Sequence, residues 1–222
     1  MGLSSSGEYD AYAVVVDFVA VNPGICAALE DAFRPVAPGT TVHFARFEEV
    51  VDEYDVMVAA ANSFGLMDGG IDAAITAYFG ETLMHEVQRR IVRDFQGEQP
   101  VCTCLLVPID SERPTRWLAH TPTMQVPLDI RGTTNVYFAM KALLREAATH
   151  EDELRRPGSG DEPRVLCPAL GTGVGRVPPE EAARQMAIAY RNHFEAPTGP
   201  LSWDFAMRRH GELLFPGTCG WP

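Results

Sequence analysis

The chain has a single lysine, Lys141, in 222 residues. Chemistry that needs a lysine as Schiff base, general base or phosphate clamp would therefore fall on one residue, and its surroundings place that residue in a helix remote from the glycine-rich loops described below. Positive charge is scarce as a whole: 18 Lys and Arg stand against 30 Asp and Glu, for a formal charge of −12. A nucleic-acid binder needs a basic footprint to displace counterions, and an anionic membrane surface attracts basic segments. Neither partner is expected here. Any anionic ligand has to be held by local backbone dipoles against an unfavourable overall field. The five cysteines, Cys26, Cys102, Cys104, Cys167 and Cys219, form no CxxC and no Cys/His cluster with zinc spacing. No metal or other cofactor is implied, and the thiols read as reduced and buried in a cytoplasmic protein. The apolar run from Ala11 to Val21 is broken by Asp17 and lacks a basic flank, so it reads as neither signal peptide nor membrane span.

Hydrophobic residues make up 46% of the chain and charged residues 22%, an ordinary globular balance. The length suggests one domain with an extension, and such a chain buries about 70% of its unfolded surface without a disulfide or metal staple. Strand patterns cover Ala13–Val21, Thr41–Phe47, Asp55–Ala61, Val101–Ile109, Trp117–Thr121 and Arg164–Leu170. Between them lie helix signals. Asn22-Pro23 reads as N-cap and first helical residue. Helices are also expected from Ile71, over Glu81–Phe95, after Thr133-Thr134 and from Pro178-Pro179. Glu151–Pro163 reads as a solvated connector, and Ala196–Pro222 has no clear period. The alternation predicts an α/β fold: a three-layer α/β/α sandwich around a mixed, mostly parallel sheet. Residues 1–195 would form a single domain and 196–222 an extension packed on or near it.

In such sheets ligands bind beyond the carboxyl ends of the strands. Two segments fit that place, each a buried strand, then a glycine-rich loop, then a helix. The first, residues 55–75, reads DVMVAAANSFGLMDGGIDAAI. Its glycines let the backbone come close to a ligand, and the helix that follows aims its N-terminus at the loop, which favours an anion. Asp72 in that first turn is either a helix-start residue or a functional carboxylate. Asn62 is either a turn former or a ligand contact. The second, residues 165–176, reads VLCPALGTGVGR. Three glycines in five residues make a nest of N–H groups that holds anions without a cationic side chain. It lacks the lysine of a P-loop and the position of a dinucleotide fingerprint.

Together the two segments resemble the macro domain family. The first carries that family's AAN, here Ala60-Ala61-Asn62, and its GG-I/V-D, here Gly69-Gly70-Ile71-Asp72. The second matches the family's diphosphate loop, and the stretch WLAHTPTM at 117–124 resembles its apolar-His-Thr strand. The resemblance is clearest over residues 41–191 and looks like a bacterial branch of the family. It implies binding of ADP-ribose and, in many members, removal of ADP-ribose from modified proteins. Carried over to this chain, it implies that Asn62 hydrogen-bonds the distal ribose and that Asp72 orients or deprotonates the water attacking its anomeric carbon. Gly69, Gly70 and Ile71 line the distal ribose and diphosphate beside Ala61. Gly171, Thr172, Gly173, Val174 and Gly175 clamp the diphosphate, with Arg176 covering the distal site or facing solvent.

Two family features are missing. The second strand ends in Ala45-Arg46-Phe47-Glu48, without the aspartate that binds adenine in the family. Glu48 beside Phe47 is one substitute, and Asp17 reaching from the neighbouring strand is another. The aromatic residue that many members place late in the second loop is also missing, with Val174, Arg176 and Val177 in its region. His120 reads as a core histidine, Cys102 and Cys104 as core residues sharing a strand face, and Trp203 and Phe205 as a cap on an exposed core edge. Arg131 and Gly132 either border the site or only shape a turn. Asp68 is the next carboxylate after Asp72. With one carboxylate placed by the motif, the expected leaving group is one that departs unprotonated, such as the carboxylate of an acidic side chain. The expected activity is hydrolysis of mono-ADP-ribose from acidic residues, with an ADP-ribose reader or an O-acetyl-ADP-ribose deacetylase as alternatives.

Overall fold

β3 (Val56–Asn62) is built of small and apolar residues and is buried on both faces, which makes it the interior strand of the sheet. The computed structural model describes residues 14–156, 158 and 160–214. The expectations for residues 1–13 and for Cys219 lie outside that range. Around β3 stand β1 (Val15–Ala20), β2 (Val42–Phe44), β4 (Leu105–Pro108), β5 (Trp117–Met124) and β6 (Arg164–Pro168), in the order β2-β1-β6-β3-β5-β4. All pairs are parallel except β4 with β5, so the sheet is mixed and mostly parallel, as the alternation of elements predicts.

Side chains of β3 alternate between two cores. Val56 and Val58 face α1 (Pro23–Phe33), α4 (Asn135–Thr149) and α6 (Pro179–Phe194). Met57, Ala59 and Ala61 face α2 (Gly70–Phe79) and α3 (Glu81–Phe95). The result is the three-layer sandwich expected from the sequence. α1 starts where Asn22-Pro23 predicts, because Asn22 Oδ1 accepts the N–H groups of Gly24 (2.8 Å) and Ile25 (3.2 Å). Among the described residues no helix is long and apolar enough to cross a membrane.

The structure corrects several expectations. β2 stops at Phe44 rather than Phe47, because the chain turns into 3₁₀ turns at Phe47–Glu49 and Val51–Glu53. β4 begins at Leu105 rather than Val101. Cys102 sits at φ +66° outside the ladder, half-buried, and its N–H donates to Pro122 O at 2.8 Å. Cys102 and Cys104 therefore do not share a strand face. The connector after α4 contains a short helix, α5 (Glu151–Leu154). The tail, expected to lack a clear period, forms α7 (Trp203–Leu214), an amphipathic helix that buries only Leu213. α7 is held by its far end: Arg184 donates to the carbonyls of Glu212 and Leu213, and Arg191 pairs with Glu212 at 2.6 Å. Trp203, at the opposite end of α7, is 82% exposed and caps no core edge. Phe205 is half-buried with the Arg209 guanidinium above its ring.

The cleft-remote half of the sheet is tied together by one carboxylate. Asp17, 2% exposed, accepts from Thr41 N (2.7 Å), the Tyr54 hydroxyl (2.9 Å) and Arg164 (2.9 Å). Tyr54 also meets His43 Nε2 at 2.7 Å, and burial together with Asp17 pushes its phenol pKa up. Asp17→Ala leaves a buried hydroxyl and a half-exposed guanidinium without their acceptor. It is expected to lower stability by roughly 2–4 kcal/mol, read as a shift in the urea midpoint at unchanged slope. A loss below about 0.5 kcal/mol, the scale of an ordinary surface substitution, would show that the network does not hold the strands.

Candidate functional site

The carboxyl end of β3 delivers Asn62, whose side chain folds the loop that follows. Its Oδ1 accepts from Phe64 N (3.0 Å) and Leu66 N (3.3 Å), and its Nδ2 donates to Leu66 O (2.8 Å). This is the turn-forming behaviour of asparagine. The loop leads to α2, whose N-cap is Gly69 and whose N-terminus no side chain caps. An uncapped N-terminus leaves backbone donors and the positive end of the helix dipole to a ligand. Thr76 Oγ1 donates to Met67 O at 3.0 Å and fixes loop to helix.

Asp72 sits in the first turn of α2 and is 6% exposed. Its Oδ1 is buried and has no hydrogen-bond partner among the described residues. Burial alone raises its pKa to about 7. A capping aspartate is partnered by definition, so the helix-start reading does not account for this oxygen. An unpaired buried carboxylate whose pKa lies near neutrality is a common mark of a functional group.

The second loop follows β6 and lies against the start of α4. Gly171 has φ +74°, and a Cβ on it would stand 2.8 Å from Val136 Cγ2. A Cβ on Gly175 would stand 2.5 Å from Gly171 O and 2.8 Å from Ile130 Cγ1. Only glycine lets the loop close this tightly. Hydrogen bonds complete the turn, from Ile130 N to Gly175 O (3.0 Å), Val177 N to Gly171 O (3.1 Å) and Arg176 N to Gly173 O (3.0 Å). Thr172 Oγ1 donates to Ala169 O at 2.9 Å.

Between the loops lies a cleft of about 470 Å³, within the usual range for a small-molecule site. It brings together Ala61, Asn62, Gly69, Gly70, Ile71, Asp72, Phe47, Glu48 and the whole turn from Gly171 to Gly175. Arg176 is not on its wall, and neither are Arg131, Gly132, His120 or Asp17. Asp17 is engaged in the buried network, so of the two candidate adenine contacts only Glu48 reaches the cleft. There Arg46 donates to Glu48 at 3.0 Å. Burial raises the Glu48 pKa, but the hydrogen bond from Arg46, a backbone hydrogen bond and the Arg46 charge together outweigh it and the net shift is downward. Arg131 pairs with Asp129 at 2.6 Å. His120 is fully buried, with Nδ1 at 2.7 Å from Gln99 Oε1, and burial lowers its pKa to about 3. It is a neutral core histidine, as the sequence suggests.

Wall residues given no binding role by the sequence include Asn22 and Ile25 at the start of α1, Thr123 and Met124 at the end of β5, and Pro127 just beyond it. Their signal is positional, since Thr123 and Met124 close β5 and the others follow the carboxyl ends of β1 and β5.

The Macro domain family model matches residues 58–186. An uncharacterized protein of Aquifex aeolicus is 33% identical over 137 residues, which are 62% of this chain and 73% of that protein. One of Aeropyrum pernix is 30% identical over 135 residues, 61% of this chain and 62% of its own length. Among solved structures, the macrodomain of Mycobacterium tuberculosis DarG superposes with a TM-score of 0.50 at 17% identity, covering 63% of this chain and 82% of that one. The Oceanobacillus iheyensis macrodomain with ADP gives 0.50 at 21% identity over 72% of this chain and 83% of that one. A variant of it with ADP-ribose gives 0.50 at 20% over 72% and 84%. At these identities the likeness is one of fold.

Gly175→Ala forces Gly171 O and Ile130 apart and is expected to lower stability by roughly 1–3 kcal/mol. Gly173 has nothing within 4 Å of its Cβ direction, so Gly173→Glu is expected to stay within about 0.5 kcal/mol of the parent. Thermal melts of both variants check the pair. Equal losses would mean that the loop is not closed by the Gly175 contact.

Proposed function

The chain belongs to the macro domain family, and from that premise we propose that the cleft binds ADP-ribose and hydrolyses its linkage to an acidic side chain of a modified protein. One observation carries this reading: a buried, unpartnered Asp72 stands on the wall of a cleft flanked by two backbone loops suited to one diphosphate. Adenosine lies over the ends of β1 and β2, against Ile25, Phe47 and Glu48. The diphosphate lies between the α2 N-terminus and the Gly171–Gly175 turn, and the distal ribose lies beyond it, near Asp72. No lysine is needed, because N–H groups and a helix dipole hold the anion.

Cleavage at the anomeric carbon passes through an oxocarbenium-like state, which a nearby carboxylate stabilises while accepting a proton from water. Asp72 serves both purposes when ionised. A carboxylate leaving group departs without a proton, so an ester linkage to Glu or Asp fits a site with one buried carboxylate. Retention of ligand without turnover is the second reading. It draws on Asn62, whose Oδ1 is already engaged by its own loop.

Gly173→Glu places a negative charge in the nest and is expected to abolish ADP-ribose binding in calorimetry while the protein stays folded. Retained binding would remove the second loop from the site. For Asp72 the sign is worked from its raised pKa. An unfolded aspartate ionises near pH 4 and the folded one near 7, so the native state binds the extra proton between these values. Stability therefore falls as pH rises through that window. Asp72→Asn is expected to be more stable than the parent at pH 8, by roughly 2–4 kcal/mol, with the difference gone below about pH 4. The same variant is expected to slow single-turnover release of ADP-ribose from a Glu-linked substrate by about 10²–10⁴-fold. The parent rate is expected to rise through about pH 7, as a base requires. A rate that falls through that pH would make Asp72 a proton donor, an unchanged rate in Asp72→Asn would remove Asp72 from the mechanism, and binding without any release by the parent would favour the reader.

A further inference from the structure

Two polar side chains end neighbouring strands at the floor of the cleft, and they differ in what they have left to offer. Asn62 Oδ1 already accepts two backbone N–H groups and its Nδ2 already donates to Leu66 O. Thr123 is fully buried, lines the same cleft, and its Oγ1 has no partner among the described residues. The pairing of β3 with β5 explains its placement. Ala61 pairs with Pro122 but Asn62 pairs with Met124, so the register slips by one residue and Thr123 is the residue passed over. Such slips re-aim a side chain and recur beside functional sites. The slip is held in place on both sides. Asn135 Nδ2 donates to Thr123 O at 2.9 Å, Cys102 N to Pro122 O at 2.8 Å, and Ser63 N to Gln125 O at 3.1 Å. The left-handed turn at Cys102 thus has a consequence at the cleft, because its N–H anchors the residue before Thr123.

We propose that Thr123 is a positioning residue for the sugar farthest from adenine, hydrogen-bonding a ribose hydroxyl there, and that it makes the cleft prefer ADP-ribose to ADP. The inference rests on the ADP-ribose reading above. Strand order gives the end of the ligand: β5 lies on the far side of β3 from β1 and β2, so a ligand with its base over β1–β2 brings its other end to Thr123. A buried hydroxyl without a partner is unfavourable, and a ligand hydroxyl that satisfies it is favoured over an analogue lacking the group.

The experiment is calorimetry with ADP-ribose and with ADP on the parent chain, Thr123→Val and Thr123→Ser, with a thermal melt of each. Thr123→Val keeps the shape and removes the hydroxyl. It is expected to weaken ADP-ribose about tenfold, to leave ADP within about twofold, and to melt no lower than the parent, since an unpaired buried polar atom has gone. Thr123→Ser is expected to stay within about threefold of the parent for both ligands. Should the valine variant not fold, Thr123→Ala is read in the same way. An unchanged affinity for ADP-ribose, or an equal loss for ADP, overturns the role of Thr123 while the ADP-ribose reading stands. A parent chain that binds neither nucleotide overturns both.

Discussion

The cleft depends on how closely one turn can fold onto the helix beside it. Gly175 stands so near Gly171 O and Ile130 that no side chain fits, and Gly171 stands equally close to Val136. These contacts bring the second loop down onto the start of α4 and fix the wall opposite the α2 N-terminus. Space between the loops sets which anion can be held, because backbone donors act only at hydrogen-bond distance. Gly173 and Gly175 share one short turn yet are under opposite constraints. One faces open space, where a ligand can approach the backbone, and the other faces the protein. The composition of the turn thus serves ligand access and packing at once.

The first loop achieves its shape by a different device. Asn62 replaces the regular ladder at the end of β3 with side-chain hydrogen bonds to Phe64, Leu66 and its carbonyl, and the loop then enters α2 without a side-chain cap. Leaving a helix end uncapped sacrifices some stability, and burying Asp72 without a partner sacrifices more. The second falls on the wall of the cleft, whereas helix starts without a side-chain cap also occur at α3, α4 and α6. The other two buried aspartates among the described residues are engaged: Asp17 by Thr41, Tyr54 and Arg164, and Asp55 by Arg156 (2.6 Å) and the Arg164 N–H (2.8 Å). The contrast shows that this fold can satisfy a buried acid, and that at Asp72 it does not.

Much of this was legible in the sequence because local chemistry decided it. Asn22-Pro23 starts a helix by rules that need no tertiary context, and the run of apolar residues before Asn62 is an interior strand for the same reason. The glycine spacings marked both loops. The parts that were not legible depend on contacts distant in sequence. β2 is cut short because the chain leaves the sheet edge for two 3₁₀ turns. Cys102 takes a left-handed conformation because its N–H is held by Pro122, twenty residues away. α7 buries only Leu213, and arginines of α6 hold its end through main-chain carbonyls, contacts that the tail's own sequence does not mark. Thr123 looked like one more strand residue, and only the register of β3 against β5 sets it apart.

The scarcity of lysine and the excess of acid describe the same design from the outside. Arg46, on the cleft wall, is already matched by Glu48, and the chain as a whole carries a formal charge of −12. An anion entering the cleft gains little from long-range attraction, which salt would screen in any case beyond about 8–10 Å. Its affinity has to come from N–H groups and a helix end at contact range, which salt screens far less. Such a site discriminates by fit rather than by charge. Phosphate alone meets only part of it, and a ligand gains in proportion to how many of the cleft's fixed groups it reaches at once, from Phe47 at one end to the floor beside Asn62 at the other.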